Sequence, residues 1–242
     1  MLIGPQNSPV AATLSANLCA LQQEITSCLQ GTHRTADSVT LVAVSKGQAA
    51  DAVRTLAALG QVHFGESYLQ EALPKMEQLR DLELVWHFIG RIQANKTRAV
   101  AEHFHWAHAV DRLRIAERLS AQRPHYAPPL RVCIQVNVEA EPGKGGVAPE
   151  AAGDLALAVH ALPRLELRGL MCILPEGRGQ EADRRSFAAL RALRVAIETR
   201  GLKLDTLSMG MSSDFRAALL EGATLIRIGT ALFGPRSGRS VG

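Results

Sequence analysis

The chain has 242 residues, 47% hydrophobic and 21% charged, which is enough for one large domain with its own core, and the high apolar fraction excludes disorder. Its net charge of +4, from 27 basic and 23 acidic side chains with aromatics at 4%, reads as solvated helix faces and not as a nucleic-acid surface. No apolar run approaches a membrane span, and the N-terminus lacks the basic region and apolar core of a secretory leader, so the expected location is cytoplasmic. Cys19, Cys28, Cys133 and Cys172 form no CxxC pair and read as buried thiols of a reduced protein.

In chain order, Leu14, Leu18, Leu21, Ile25 and Leu29 recur at helical spacing and stop at Gly31, predicting an amphipathic helix over about residues 9–31. The pattern then changes to VTLVAVS at 39–45, a short β-branched run that predicts a buried strand. A helix over 49–60 follows. The alternation repeats with strands at 62–64, 84–89, 105–110, 130–138, 165–174, 204–209 and 224–228. Helices are predicted between them at 68–79, 95–103, 112–122, 149–162, 183–200 and 214–221, with a short tail at the end. About eight strand–helix units in one chain of this length predict a single α/β domain, 1–242. It is a (β/α)8 TIM barrel over about 39–234 with an extra N-terminal helix. A doubly wound open sheet is the competing architecture.

In such a barrel the active face lies where strands end and βα loops begin. Lys46 follows the apolar run LVAVS, where desolvation would lower its pKa and free its amine for a Schiff base; snorkelling to the rim is the plain alternative. His87, inside WHFIG, reads either as a hydrogen-bonded core residue or as a catalyst. Asn137 ends the fifth strand. The loop EPGKGG after it places Lys144 among three glycines, for an anion or as an ordinary loop. The seventh strand runs into Ser208-Met209-Gly210-Met211-Ser212-Ser213-Asp214 and the eighth into Arg227-Ile228-Gly229-Thr230. Hydroxyls and glycines in these two adjacent loops predict a phosphate cradle, with helix capping by Ser212 or Asp214 as the alternative. A lysine and a phosphate cradle on one barrel mouth point to pyridoxal 5′-phosphate, PLP. Arg227 shares a strand face with Leu225 and Gly229 and is always protonated; facing the pyridine nitrogen, it would keep that nitrogen unprotonated, which disfavours transamination-type chemistry.

These segments resemble a known family. AVSK at 43–46, HFGES at 63–67, WHFIGRIQANK at 86–96, IQVN at 134–137, LRGLMCI at 167–173, LSMGMSSD at 207–214 and IRIGTALFG at 226–234 are similar to the pyridoxal phosphate homeostasis proteins. These are PLP-binding barrels like the N-terminal domain of alanine racemases, and the likeness runs from about Leu14 to Arg236. The resemblance implies that Lys46 forms the internal aldimine, that Ser212, Gly229 and Thr230 bind the phosphate, and that Ser208 and Met209 wall the ring. It implies that Arg227 faces the pyridine nitrogen and Lys144 lies near the cofactor. It further implies a protein that holds and delivers PLP, with PLP-dependent apoenzymes as recipients and no established turnover. Two departures stand out: Lys46 is followed by Gly47, Gln48 and Ala49 where the family has Thr-Lys-Pro, and Ser67 replaces an asparagine.

The competing function is a PLP-dependent racemase or lyase. It needs an acid/base opposite the lysine, for which His87 is the candidate. The length, spent on one barrel without a second domain, argues for a non-catalytic carrier, and the lone barrel is expected to be a monomer. A metal enzyme is disfavoured, since the eight histidines give no HExxH.

Overall fold

The computed structural model describes residues 9–234. Eight parallel strands close into a barrel in chain order. They are β1 (Thr40–Val44), β2 (His63–Glu66), β3 (Val85–Phe88), β4 (Trp106–Val110), β5 (Leu130–Gln135), β6 (Leu165–Met171), β7 (Thr206–Ser208) and β8 (Leu225–Ile228). A leading helix α1 (Pro9–Leu29) precedes them. Helices α2 (Ala50–Ala58), α3 (Leu69–Gln78), α4 (Thr97–His103), α5 (Leu113–Gln122), α6 (Pro149–His160), α7 (Gln180–Glu198) and α8 (Phe215–Leu220) link consecutive strands, and α9 (Thr230–Phe233) follows β8. Closure between β1 and β8, with Ala43 opposite Ile228, makes this a barrel and not an open sheet.

The strands are shorter than the apolar runs at their ends. β5 stops at Gln135 because Val136 makes only an isolated bridge to Val147, and Asn137 turns the chain. Helix α7 begins three residues earlier than the pattern predicts, because Gly179, at φ +82, turns the loop into it. Short α9 stands where a plain tail was expected.

Helix α1 buries Ala11, Leu14, Leu18, Leu21, Ile25 and Leu29 along one stripe against α2, α8 and α9. Asn17 Nδ2 donates to Leu232 O at 2.9 Å, tying α1 to α9. The cysteine expectation needs correction. Cys133 and Cys172 are buried, but Cys28 is half-buried and Cys19 exposed, because Cys19 falls off the α1 stripe. Among the described residues no helix is long and apolar enough to cross a membrane, and no group of three or more metal-binding side chains gathers.

Register decides what fills the barrel. Val42 pairs with Arg227, Gly65 with His87, and His87 with Trp106, so these positions share the inner face. At the amino-terminal ends of the strands, Arg131 and Arg168 each place a guanidinium 5.6 Å from the Trp106 ring centroid. Arg168 pairs with Asp205 and Glu166, and Arg131 with Glu166, closing this end of the barrel with charge. The opposite end, where strands run into βα loops, carries the candidate site.

Candidate functional site

Pairing of β1 with β8 brings the loops after them together. Val44 at the end of β1 with Lys46 and Gln48 after it, and Gly229, Thr230 and Gly234 at the ends of α9, line a cleft of about 30 Å³. Lys46 is half-buried and Thr230 exposed, so this cleft opens at the mouth. The loop after β7 is stitched to it, since the backbone N–H of Ala231 donates to Ser212 Oγ at 3.3 Å. Within that loop Gly210 takes φ +95 and the N–H of Met211 donates to Asp214 Oδ1 at 2.5 Å. Asp214 thus closes its own turn. Burial pushes its carboxyl up, and Asp183 adds to the rise.

The chain on either side of Lys46 is clamped. Ser45 Oγ donates to Glu66 Oε1 at 2.7 Å, and Lys75 Nζ donates both to that oxygen at 2.6 Å and to Ser45 O at 2.7 Å. Gly47 N–H donates to Glu71 Oε2 at 2.9 Å. Glu66 and Lys75 are buried, and desolvation raises the Glu66 carboxyl while Lys75 and Ser45 pull it back. Sequence alone does not reveal this cluster, although Glu66 stands within HFGES. Its members lie 9 to 30 residues apart.

Inside the barrel, Arg227 is buried and held at both terminal nitrogens. Nη1 donates to Ser208 Oγ at 2.6 Å and Nη2 to Cys172 O at 2.8 Å. Met209 is also buried. Ser208 Oγ further contacts His108 Nδ1 at 2.8 Å, His108 Nε2 contacts His87 Nδ1 at 2.9 Å, and His87 Nε2 contacts His63 Nδ1 at 2.9 Å. His87 is therefore a sealed core residue with both ring nitrogens occupied. Burial drives the pKa of His87 and His108 well below 6.5, so both are neutral near neutral pH. His63 and His108 were not singled out from sequence; the available signal was a histidine in each of three consecutive strands.

Asn137 and Lys144 lie in the loop after β5 with partners of their own. Asn137 Nδ2 donates to Glu141 O at 2.9 Å, and its Oδ1 accepts the Glu141 N–H at 3.2 Å. Lys144 Nζ pairs with Glu141 Oε1 at 2.6 Å. Neither lines the Lys46 cleft. A second cavity, of about 280 Å³, lies between the loops after β6 and β7 and includes Asp183, Ser213 and Asp214 in its wall.

A family model described as the alanine racemase N-terminal domain matches residues 17–237. The pyridoxal phosphate homeostasis protein of Pseudomonas aeruginosa is 53% identical over 225 residues, covering 93% of this chain and 96% of that protein. That of Escherichia coli K12 is 44% identical over 229 residues, covering 92% and 97%. The chain belongs to this family. Among solved structures, PipY of Synechococcus elongatus is 38% identical over 91% of this chain and all of its own, with a TM-score of 0.83 without PLP and 0.80 with PLP bound. An alanine racemase of Clostridium difficile shares the fold alone, at 13% identity and TM-score 0.71 over 96% of this chain and 59% of its own. Family membership and the barrel predicted from the strand–helix alternation agree.

Proposed function

We propose that this chain holds PLP at the barrel mouth and serves intracellular PLP homeostasis, passing the cofactor to PLP-dependent apoenzymes without turning over substrate itself. The observation that carries the reading is that Lys46, Gly229 and Thr230 line one cleft, with buried Arg227 two residues earlier on β8. The donor set fits the group: an amine for the aldehyde, hydroxyl and glycine backbone for the phosphate, and a fixed cation for the ring nitrogen. When bound, PLP supplies an aldehyde carbon that condenses with the Lys46 amine with loss of water. The relatives being pyridoxal phosphate homeostasis proteins, and the PLP-bound PipY structure, support the same reading.

Each residue has a defined task in it. The clamp of Ser45, Gly47, Glu66, Glu71 and Lys75 fixes the backbone that carries Lys46. Ser212, Gly229 and Thr230 receive the phosphate, with Ser208 and Met209 in the wall. Arg227 donates and never accepts, so it withholds a proton from the ring nitrogen and weakens the ring as an electron sink. Asn137 shapes the loop that carries Lys144 on the rim. Against turnover stands His87, the candidate second base, whose ring is enclosed between His63 and His108 and reaches no cleft.

The test is reduction with borohydride after PLP is added. A pyridoxyl group on the peptide carrying Lys46, and none in Lys46→Ala, is expected; a colourless protein that refuses PLP overturns the reading. Amino acids incubated with the loaded protein in deuterated water are expected to keep their α-hydrogen. Exchange at the rate of an ordinary enzyme, abolished in Lys46→Ala, would make it a racemase or lyase.

A further inference from the structure

We infer that His63, His87 and His108 form a polarised hydrogen-bond relay that orients the Ser208 hydroxyl and, through it, positions Arg227; the inference rests on the PLP reading above. The contacts are continuous across the barrel interior, from His63 Nδ1 to His87 Nε2, from His87 Nδ1 to His108 Nε2, and from His108 Nδ1 to Ser208 Oγ. Arg227 Nη1 meets the same oxygen.

A neutral imidazole has one N–H and one bare nitrogen, so three rings in a row must all donate in the same sense. In one sense Ser208 O–H donates to His108 Nδ1, and each ring passes an N–H from Nε2 towards His63. In the other, each ring donates from Nδ1 towards Ser208, whose oxygen then takes two N–H groups while its own proton has no acceptor among the described residues.

Arg227 decides between them. It can only donate, so Ser208 Oγ accepts from it, and its charge favours dipoles whose positive ends point away. Arg131 acts on the His63 end in the opposite sense. It is weaker there, because its side chain is 45% exposed and paired with Glu166, whereas Arg227 is buried and in direct contact. The first sense wins, and all three rings carry their proton on Nε2. Stacking of His87 on Trp106, 5.4 Å between centroids and 12° between planes, holds the middle ring in place. With the hydroxyl rotor fixed this way, a lone pair of Ser208 stays aimed at Arg227. Cys172 O anchors the other guanidinium nitrogen. His108 is thus a positioning residue that acts through Ser208.

The first experiment is nitrogen-15 NMR of histidine-labelled, cofactor-free full chain above about pH 7, where unperturbed imidazole is neutral. Signals are assigned by single His63, His87 and His108 variants. All three are expected to show a bare Nδ1 and a protonated Nε2. A proton on Nδ1 of any of them overturns the relay's polarity. The second experiment compares His108→Leu with His108→Asn, whose amide oxygen can stand where Nδ1 accepts from Ser208. His108→Leu is expected to weaken PLP binding about tenfold and shift the absorbance of the bound chromophore. His108→Asn is expected to stay within about threefold with the original spectrum. Wild-type behaviour in His108→Leu, or equal loss in both, overturns the positioning role. Should His108→Leu fail to fold, Ser208→Ala against Ser208→Thr makes the same comparison. Failure of wild type to take a pyridoxyl group on Lys46 would sink the cofactor reading alone, because the tautomers are read without cofactor.

Discussion

Gly229 leaves β8 at φ −113, outside the left-handed region that favours glycine, and a methyl built on it would lie 3.5 Å from Val44 Cβ and from Val44 O, ordinary contact distances. Gly210, one loop away, takes φ +95, and the same methyl would meet Ala218 Cβ at 2.7 Å and Phe215 Cα at 3.0 Å. Alanine at the two positions therefore separates binding from folding. Gly229→Ala is expected to unfold in urea within about 0.5 kcal/mol of wild type. It should nonetheless bind PLP at least about tenfold more weakly, because its methyl enters the cleft shared with Lys46. Gly210→Ala is expected to lose roughly 1–3 kcal/mol, since both strain and overlap must be relieved. Unchanged PLP affinity in Gly229→Ala, measured by titration of the visible band, would remove the loop after β8 from the cradle.

At the scale of elements, α3 and β2 hold the end of β1. The Glu66–Lys75 pair is buried on both sides, and Glu66 also carries Ser45, the residue before Lys46. Removing the cation alone leaves a buried carboxylate without a counter-charge. Lys75→Met is therefore expected to cost about 3–5 kcal/mol. Adding Glu66→Gln to it should recover about half of that loss, because no charge then stays buried and unpaired. A urea-unfolding double-mutant cycle measures the coupling, and simple additivity would show that the clamp is no unit. The single variant is also expected to slow formation of the Lys46–PLP bond, since its backbone loses an anchor. How much of this was legible follows from sequence distance. Lys46 and the two phosphate loops were readable because each is a local strand-to-loop transition with glycine or hydroxyl chemistry. The clamp was not, because Glu66 and Lys75 look like any charged pair on a helix and a strand end. Only the fold shows them turned inward under Ser45.

For the molecule as a whole, the repeated strand–helix alternation made the barrel readable, since each unit advertises itself by a change from a short apolar run to the 3.6-residue period of an amphipathic helix. Closure made the interior unreadable. His63, His87 and His108 each look like one polar residue in an apolar strand, and only the register of β2, β3 and β4 sets them in contact across 21 to 24 residues of sequence. That interior also dictates how the protein responds to acid. Burial lowers the pKa of His87 and His108 well below 6.5, so the folded barrel refuses protons that the unfolded chain accepts. Stability from these two groups is complete above about pH 6.5, and is lost as pH falls below it. Each contributes a slope of up to roughly 1.4 kcal/mol per pH unit. Chemical unfolding followed from pH 7.5 down to pH 5.5 should therefore show a falling midpoint. His87→Gln, which keeps a polar amide but cannot titrate, should be less stable at neutral pH yet lose less on acidification. A midpoint independent of pH over this range would mean that the interior histidines accept protons without unfolding the barrel.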